Sequence, residues 1–187
     1  MADETTILTD YTIRVNIDDI FASVVNATVL RFQAIPDSAG ANQASEHAMT
    51  KADKTWFTSR LKRASDKVYE AMQAYSRHST TYVDPDQTDA RQQITSYMFN
   101  TLNTATGLYV IEYRLRVGEN FDHNLMQLLL TDIEETMISY CLSEWYAVKG
   151  LSQDRVEQFD IHTQKLKDIK SILNSRINPI KRTYRIF

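Results

Sequence analysis

Glycine is scarce in this chain, occurring only at positions 40, 107, 118 and 150. Dinucleotide fingerprints and phosphate loops both need closely spaced glycines, so neither can be assembled here. Cysteine is scarcer still. Cys141 stands alone, which excludes an internal disulfide and a thiolate metal cluster. No electropositive neighbour activates it, and its place on an apolar helical stripe reads as a buried structural thiol. The four histidines, at 47, 78, 123 and 162, are not spaced as helical metal pairs. Asp84, Asp86 and Asp89 begin like a calcium loop, but Asp89 stands where glycine is required and Thr95 where the closing carboxylate belongs. Glu134 and Glu135 are adjacent, so a helix sends them to different faces and they make no acid-base dyad. No catalytic constellation emerges. The chain reads as a non-enzyme with no metal and no cofactor. No apolar run approaches the roughly 20 residues that span a bilayer, and the acidic start MADETTILTD lacks the regions of a secretory signal. A cytoplasmic protein with no membrane partner is expected.

The 187 residues, 43% hydrophobic and 24% charged, suit one soluble domain with arms. The fold class read from them is mainly α: a helical bundle around an antiparallel αα-hairpin, with a small β-hairpin and extended terminal arms. The hairpin of helices lies between Phe121 and Leu173. Leu125, Leu129, Ile133, Met137, Cys141, Trp145 and Val148 recur at steps of four and then three, one apolar stripe. Asp122 is placed to cap this helix, Gly150 to end it, and Ser152 to cap the next, with Asp154 near its positive end. The second stripe is Val156, Phe159, His162, Leu166, Ile169 and Leu173. Core positions are therefore Leu129, Ile133, Met137, Cys141, Trp145, Phe159, Leu166 and Ile169. Trp145 and Tyr146 could also stack on a base, although the end of an apolar stripe makes Trp145 core. His162 could be a base or ligand, but reads more simply as a core or interface histidine bonded to a neighbour.

Upstream, Asn16 to about Phe32 has helical spacing, with Asn16 and Asp19 as a capping pair. A loop follows around Pro36 and Gly40. A long helix is expected from about Glu46 to Arg77, burying Phe57, Leu61, Ala64, Val68, Met72 and Tyr75. In GLYVIEYRLRVG the period changes to two, a strand, with QITSYMFNT as its partner. Residues 1–175 thus form a single domain that includes an N-terminal arm over about 1–12 and a β-hairpin over about 92–117. Residues 176–187 form a separate C-terminal arm.

That arm has two properties at once. Pro179 stops the preceding helix, and Ile180, Tyr184, Ile186 and Phe187 are too apolar for a tail meant to stay in water. Arg176, Lys181, Arg182 and Arg185 add positive charge without a single acid, enough to steer the segment to an acidic groove. It reads as a docking element; the alternative is that it folds back on its own domain. Charge is uneven elsewhere too. Met49 to Arg77 hold seven Lys and Arg against three acids, and Phe121 to Lys149 five acids against one lysine, which favours charge matching between helices or subunits.

A β-hairpin ending in GENFDHNL, the helix end SEWYAVKG, a second helix and the terminus NPIKRTYRIF together resemble the small neck proteins of tailed bacteriophages. These are the head-tail connectors or head-completion adaptors that bind the portal. The resemblance spans about residues 91 to 187. It implies a structural virion protein, made in the host cytoplasm and placed in the neck between capsid and tail. Its partners would be the portal protein, the next neck or tail protein and further copies of itself, typically in a twelvefold ring that extends the DNA channel and touches DNA only nonspecifically. The alternative is a nucleic-acid-binding or regulatory helical module using Lys51, Lys54, Arg60, Lys62, Arg63, Lys67 and the basic tail. A nonviral helical scaffold is a third reading.

Overall fold

Alternation in two distant stretches of the sequence builds one sheet. A computed structural model describes residues 8–33, 47–77, 93–118 and 121–175. Within them strand β1 (Leu8–Asn16) is antiparallel to β3 (Leu108–Gly118), in an unbroken register from Leu8 opposite Gly118 to Asn16 opposite Val110. Strand β2 (Gln93–Asn103) pairs with the other side of β3, so the order is β1-β3-β2. Ile13, Val15, Ile111, Tyr113, Leu115 and Val117 point to the core and are buried. On the other face Arg14 bonds Glu112 at 3.0 Å and Arg116 bonds Asp10 at 2.8 Å. The expected arm over residues 1–12 is therefore corrected from Leu8 onward. Tyr11, Ile13 and Val15 alternate with Thr12 and Arg14, a strand period of two, and the partner strand is supplied by distant sequence. Residues 1–7 lie outside the described residues. The expected β-hairpin is present as β2 and β3, two strands of this larger sheet.

Helix α1 (Ile17–Gln33) follows β1 directly. The Asn16 side chain accepts the Asp18 amide at 3.0 Å, the N-cap geometry that ends the strand and starts the helix. Helix α2 (Lys54–Arg77) begins later than the expected Glu46. Thr50 donates its amide and hydroxyl to the Asp53 carboxylate at 2.8 Å each, and this box opens a 3₁₀ turn at Lys51–Asp53 before the helix. Phe57, Leu61, Ala64, Val68 and Met72 are buried as their spacing predicts; the Tyr75 side chain lies outside the described set.

Helix α3 (Met126–Val148) packs against α1, α2 and β1, and against α4 (Ser152–Asn174). Leu129, Ile133, Met137, Cys141 and Trp145 are all buried. Asp122 does cap, accepting the Asn124 amide, but it caps a 3₁₀ turn at His123–Leu125 that precedes the helix. At the other end Gly150 takes φ +75. Its amide reaches the Ala147 carbonyl at 3.3 Å and the Leu151 amide reaches Tyr146 at 2.9 Å, closing a Schellman turn. That turn makes Leu151 the N-cap of α4, so Ser152 falls inside the helix and does not cap it.

In α4, His162, Ile169 and Leu173 are buried, Leu166 is half-buried, and Phe159, expected in the core, is 45% exposed. Val156 and Val148, at the ends of the two stripes, are exposed as well. For Phe159 and Val156 the reason is rotational drift. At about 100° per residue, Phe159 falls about 80° and Val156 about 140° around the helix from Ile169, while His162 and Leu173 stay within about 40°. Successive steps of three carry a stripe off the buried face. Overall the chain is mainly helical with a small three-stranded antiparallel sheet.

Candidate interaction surface

Charged groups are engaged mostly with one another. Four of the bases on the basic helix have internal partners: Lys54 meets Asp18 at 2.7 Å, Arg60 meets Glu144 at 3.6 Å, and Lys62 pairs with Asp66. The fourth, Lys67, places its ammonium 4.9 Å from the Tyr140 ring centroid and 5.8 Å from that of Phe159. Lys54, Arg60 and Lys67 of the stripe singled out for nucleic acid are thus committed to holding α2 onto its neighbours, and Lys62 to a pair within the helix. Glu134 and Glu135 diverge as adjacent helix residues must. Glu135 bonds Lys165 at 2.5 Å, and Lys165 also reaches the buried Asp132 at 2.9 Å; these bonds push the lysine pKa upward. Burial, helped by the nearby Asp19, raises the Glu134 carboxyl.

Two polar clusters lie inside. The rings of Tyr69, Tyr97 and Tyr113 stack at centroid spacings of 5.0 and 5.2 Å. Tyr97 bonds Asp66 at 2.9 Å and lies 2.5 Å from the Ser65 hydroxyl, and Tyr113 donates to the Ser65 carbonyl at 3.1 Å. This stack ties the sheet to α2. Burial pushes the Tyr113 phenol well above its ordinary pKa, which keeps it a neutral donor. The second cluster surrounds His162, whose Nδ1 donates to the Thr136 carbonyl at 3.0 Å. The histidine is bonded to a neighbour as its sequence position implied. Its Nε2 is buried without a partner among the described residues. Cys141 is fully buried, and burial pushes its thiol far above the ordinary range, so it stays a thiol and does not react. Trp145 is core: its indole N–H donates to the His47 carbonyl at 3.0 Å, and its ring stands edge-on to Trp56 at 5.1 Å.

Among the described residues most exposed large apolar side chains fall at two places, Leu128 at the start of α3 lying outside both. One is the tip of the β2–β3 hairpin, where Leu102 pairs with Tyr109 across the strands and Leu108 is adjacent. The other is where α1 and α3 end and α4 begins. Leu30, Val148, Val156, Phe159 and Ile161 are exposed there, and Arg31 clamps Asp154 through two bonds of 2.9 Å. The two places lie at opposite ends of α1. Its first residue follows Asn16, which faces Val110 near the hairpin tip, while Arg31 lies beside the start of α4. Seventeen helical residues separate them by about 25 Å. Sequence periodicity missed both. One signal for the tip was available, because no residue from Gln93 to Ile111 carries a charge, and loss of charge marks the centre of protein interfaces.

The proposed docking arm, Arg176 to Phe187, lies outside the described residues, as does nearly all of the Asp84–Thr95 loop. Among the described residues no group of three or more His, Cys, Asp or Glu could hold a metal ion, and no helix is long and apolar enough to cross a membrane. No protein-family model matches the chain, and neither a curated protein nor a solved structure matches it.

Proposed function

We propose that this chain is a structural neck protein of a tailed bacteriophage, a head-tail connector whose copies form a ring beneath the portal and extend the DNA channel. One observation carries the reading: two unlike apolar surfaces, the hairpin tip and the α1/α3/α4 end, lie about 25 Å apart at opposite ends of α1. Unlike surfaces on one chain favour heterologous, head-to-tail contacts, which close into rings when the rotation allows. The finer architecture is a bundle wound on an antiparallel helix pair. Asp132 meets Lys165 and Thr136 meets His162, contacts that run in opposite directions along α3 and α4, in support of that arrangement. A ring of this kind acts by position and contact, so the chain works without a catalytic residue. The internal engagement of Lys54, Arg60, Lys62 and Lys67 weighs against a phosphate-tracking module. The test is to mix the purified chain with the portal protein of the same phage and to image the product. A ring of this protein seated on the portal is expected. A chain that stays off the portal, or is absent by mass spectrometry from purified virions, overturns the reading.

A further inference from the structure

We infer that the first half of α4 is the receptor for the C-terminal segment 176–187 of a second copy of this chain. The segment pairs Ile180, Tyr184, Ile186 and Phe187 with four bases and no acid, so its receptor must offer apolar surface beside negative charge. The first half of α4 offers both. Val156 and Phe159 are exposed on one flank and Ile161 on the other, and exposed Glu157 and Asp160 lie between the flanks. Apart from Asp154, held by Arg31, and Lys165, held by Asp132 and Glu135, the helix carries Glu157 and Asp160 against Arg155 in its first half and Lys167 and Lys170 against Asp168 in its second. This division favours another copy's segment over the chain's own. Twelve residues beyond Ser175 extend to about 40 Å, and Phe159 lies only about 24 Å back along α4, so length alone would let the segment reach its own helix. To do so it would run along the exposed Lys167 and Lys170, a path of like charge. Another copy's segment approaches the acidic half without crossing the basic one. Segment and receptor are different surfaces, so the contact is head-to-tail and propagates from copy to copy.

The inference rests on the docking reading of the segment, not on the neck assignment, and its test needs no portal. Two full-length variants are made. One silences the segment by Tyr184→Ser, Ile186→Ser and Phe187→Ser; the other reverses the receptor by Glu157→Lys and Asp160→Lys, both at exposed positions that leave the core intact. A fluorescent peptide of residues 175–187 is titrated into each. It binds the segment-silenced protein, and the receptor-reversed protein at least about tenfold more weakly, with both affinities falling as salt rises. In sedimentation the two variants mixed together give a one-to-one complex that neither forms alone. Absence of peptide binding to the segment-silenced protein overturns the inference. So does a mixture that stays monomeric while the wild type excludes the peptide, since that result means each segment covers its own helix.

Discussion

His162 carries an electrostatic cost that only the folded chain imposes. Its ring is buried beside Tyr140 and Phe159, Nδ1 is committed to Thr136, and Nε2 has no partner among the described residues to accept the N–H that protonation would create. Burial lowers its pKa below 6.5, Lys67 acts in the same direction, and the Thr136 carbonyl opposes them. The unfolded chain therefore takes up the proton first. This contribution to stability is complete above about pH 6.5 and is lost as pH falls through the folded pKa. The urea midpoint of the wild type should drop between pH 7.5 and 5.5 by more than that of His162→Gln. Glu134, whose carboxyl is raised, has the opposite sign over part of this range, but it is common to both proteins and cancels in the comparison. Trp145→Ala should cost about 3 to 5 kcal/mol in chemical denaturation, because the substitution empties a core site and strips the His47 carbonyl of its donor; a loss below about 1 kcal/mol contradicts a core role. Trp145 and Cys141 were legible in sequence because α3 is buried on most sides, Ser139, Tyr140, Leu142 and Ser143 included, so a stripe that drifts about 40° at each step of four stays covered. Phe159 was not, because its side of the stripe drifts and nothing local marks where the neighbouring helices stop covering it.

At the scale of elements, termini were easier to read than partners. Gly150 announces the end of α3 by its residue type, and in the fold it adopts the left-handed backbone that glycine favours. Gly150→Ala should lower stability by about 1 kcal/mol in thermal or urea unfolding. The cost is backbone strain alone, since an added Cβ would meet nothing within 4 Å. Strand β1 was misread because a strand's evidence lies in its neighbour. Arg14 and Asp10 look like solvated charges until Glu112 and Arg116 face them across the sheet. Glu112 makes the same point. Burial pushes its carboxyl upward, yet the hydrogen bonds from Arg114 and Arg14 outweigh that and hold it below its usual range. The surface of the first half of α4 was illegible for a related reason: exposure is decided by what other elements leave uncovered.

For the whole molecule, the net charge of −3 conceals a network that works mostly inward. Arg60→Ala and Lys62→Ala should each cost about 0.5 to 1 kcal/mol by loss of partly exposed pairs and ring contacts, and should leave the electrophoretic mobility of a DNA probe unchanged. A shift by the wild type that these variants abolish would restore the nucleic-acid reading. The placement of β1 has another consequence, in time. Leu8 pairs with Gly118 and Asn16 with Val110, so β1 leaves the ribosome about a hundred residues ahead of its partner. At about 5 to 20 residues per second that delay is about 5 to 20 s. Helix α3, which packs on α1, α2 and α4, is made later still. Ile13, Val15 and the apolar side of α1 spend that interval without the surfaces that bury them. The nascent chain must therefore be kept from aggregating until β3 and α3 have been made.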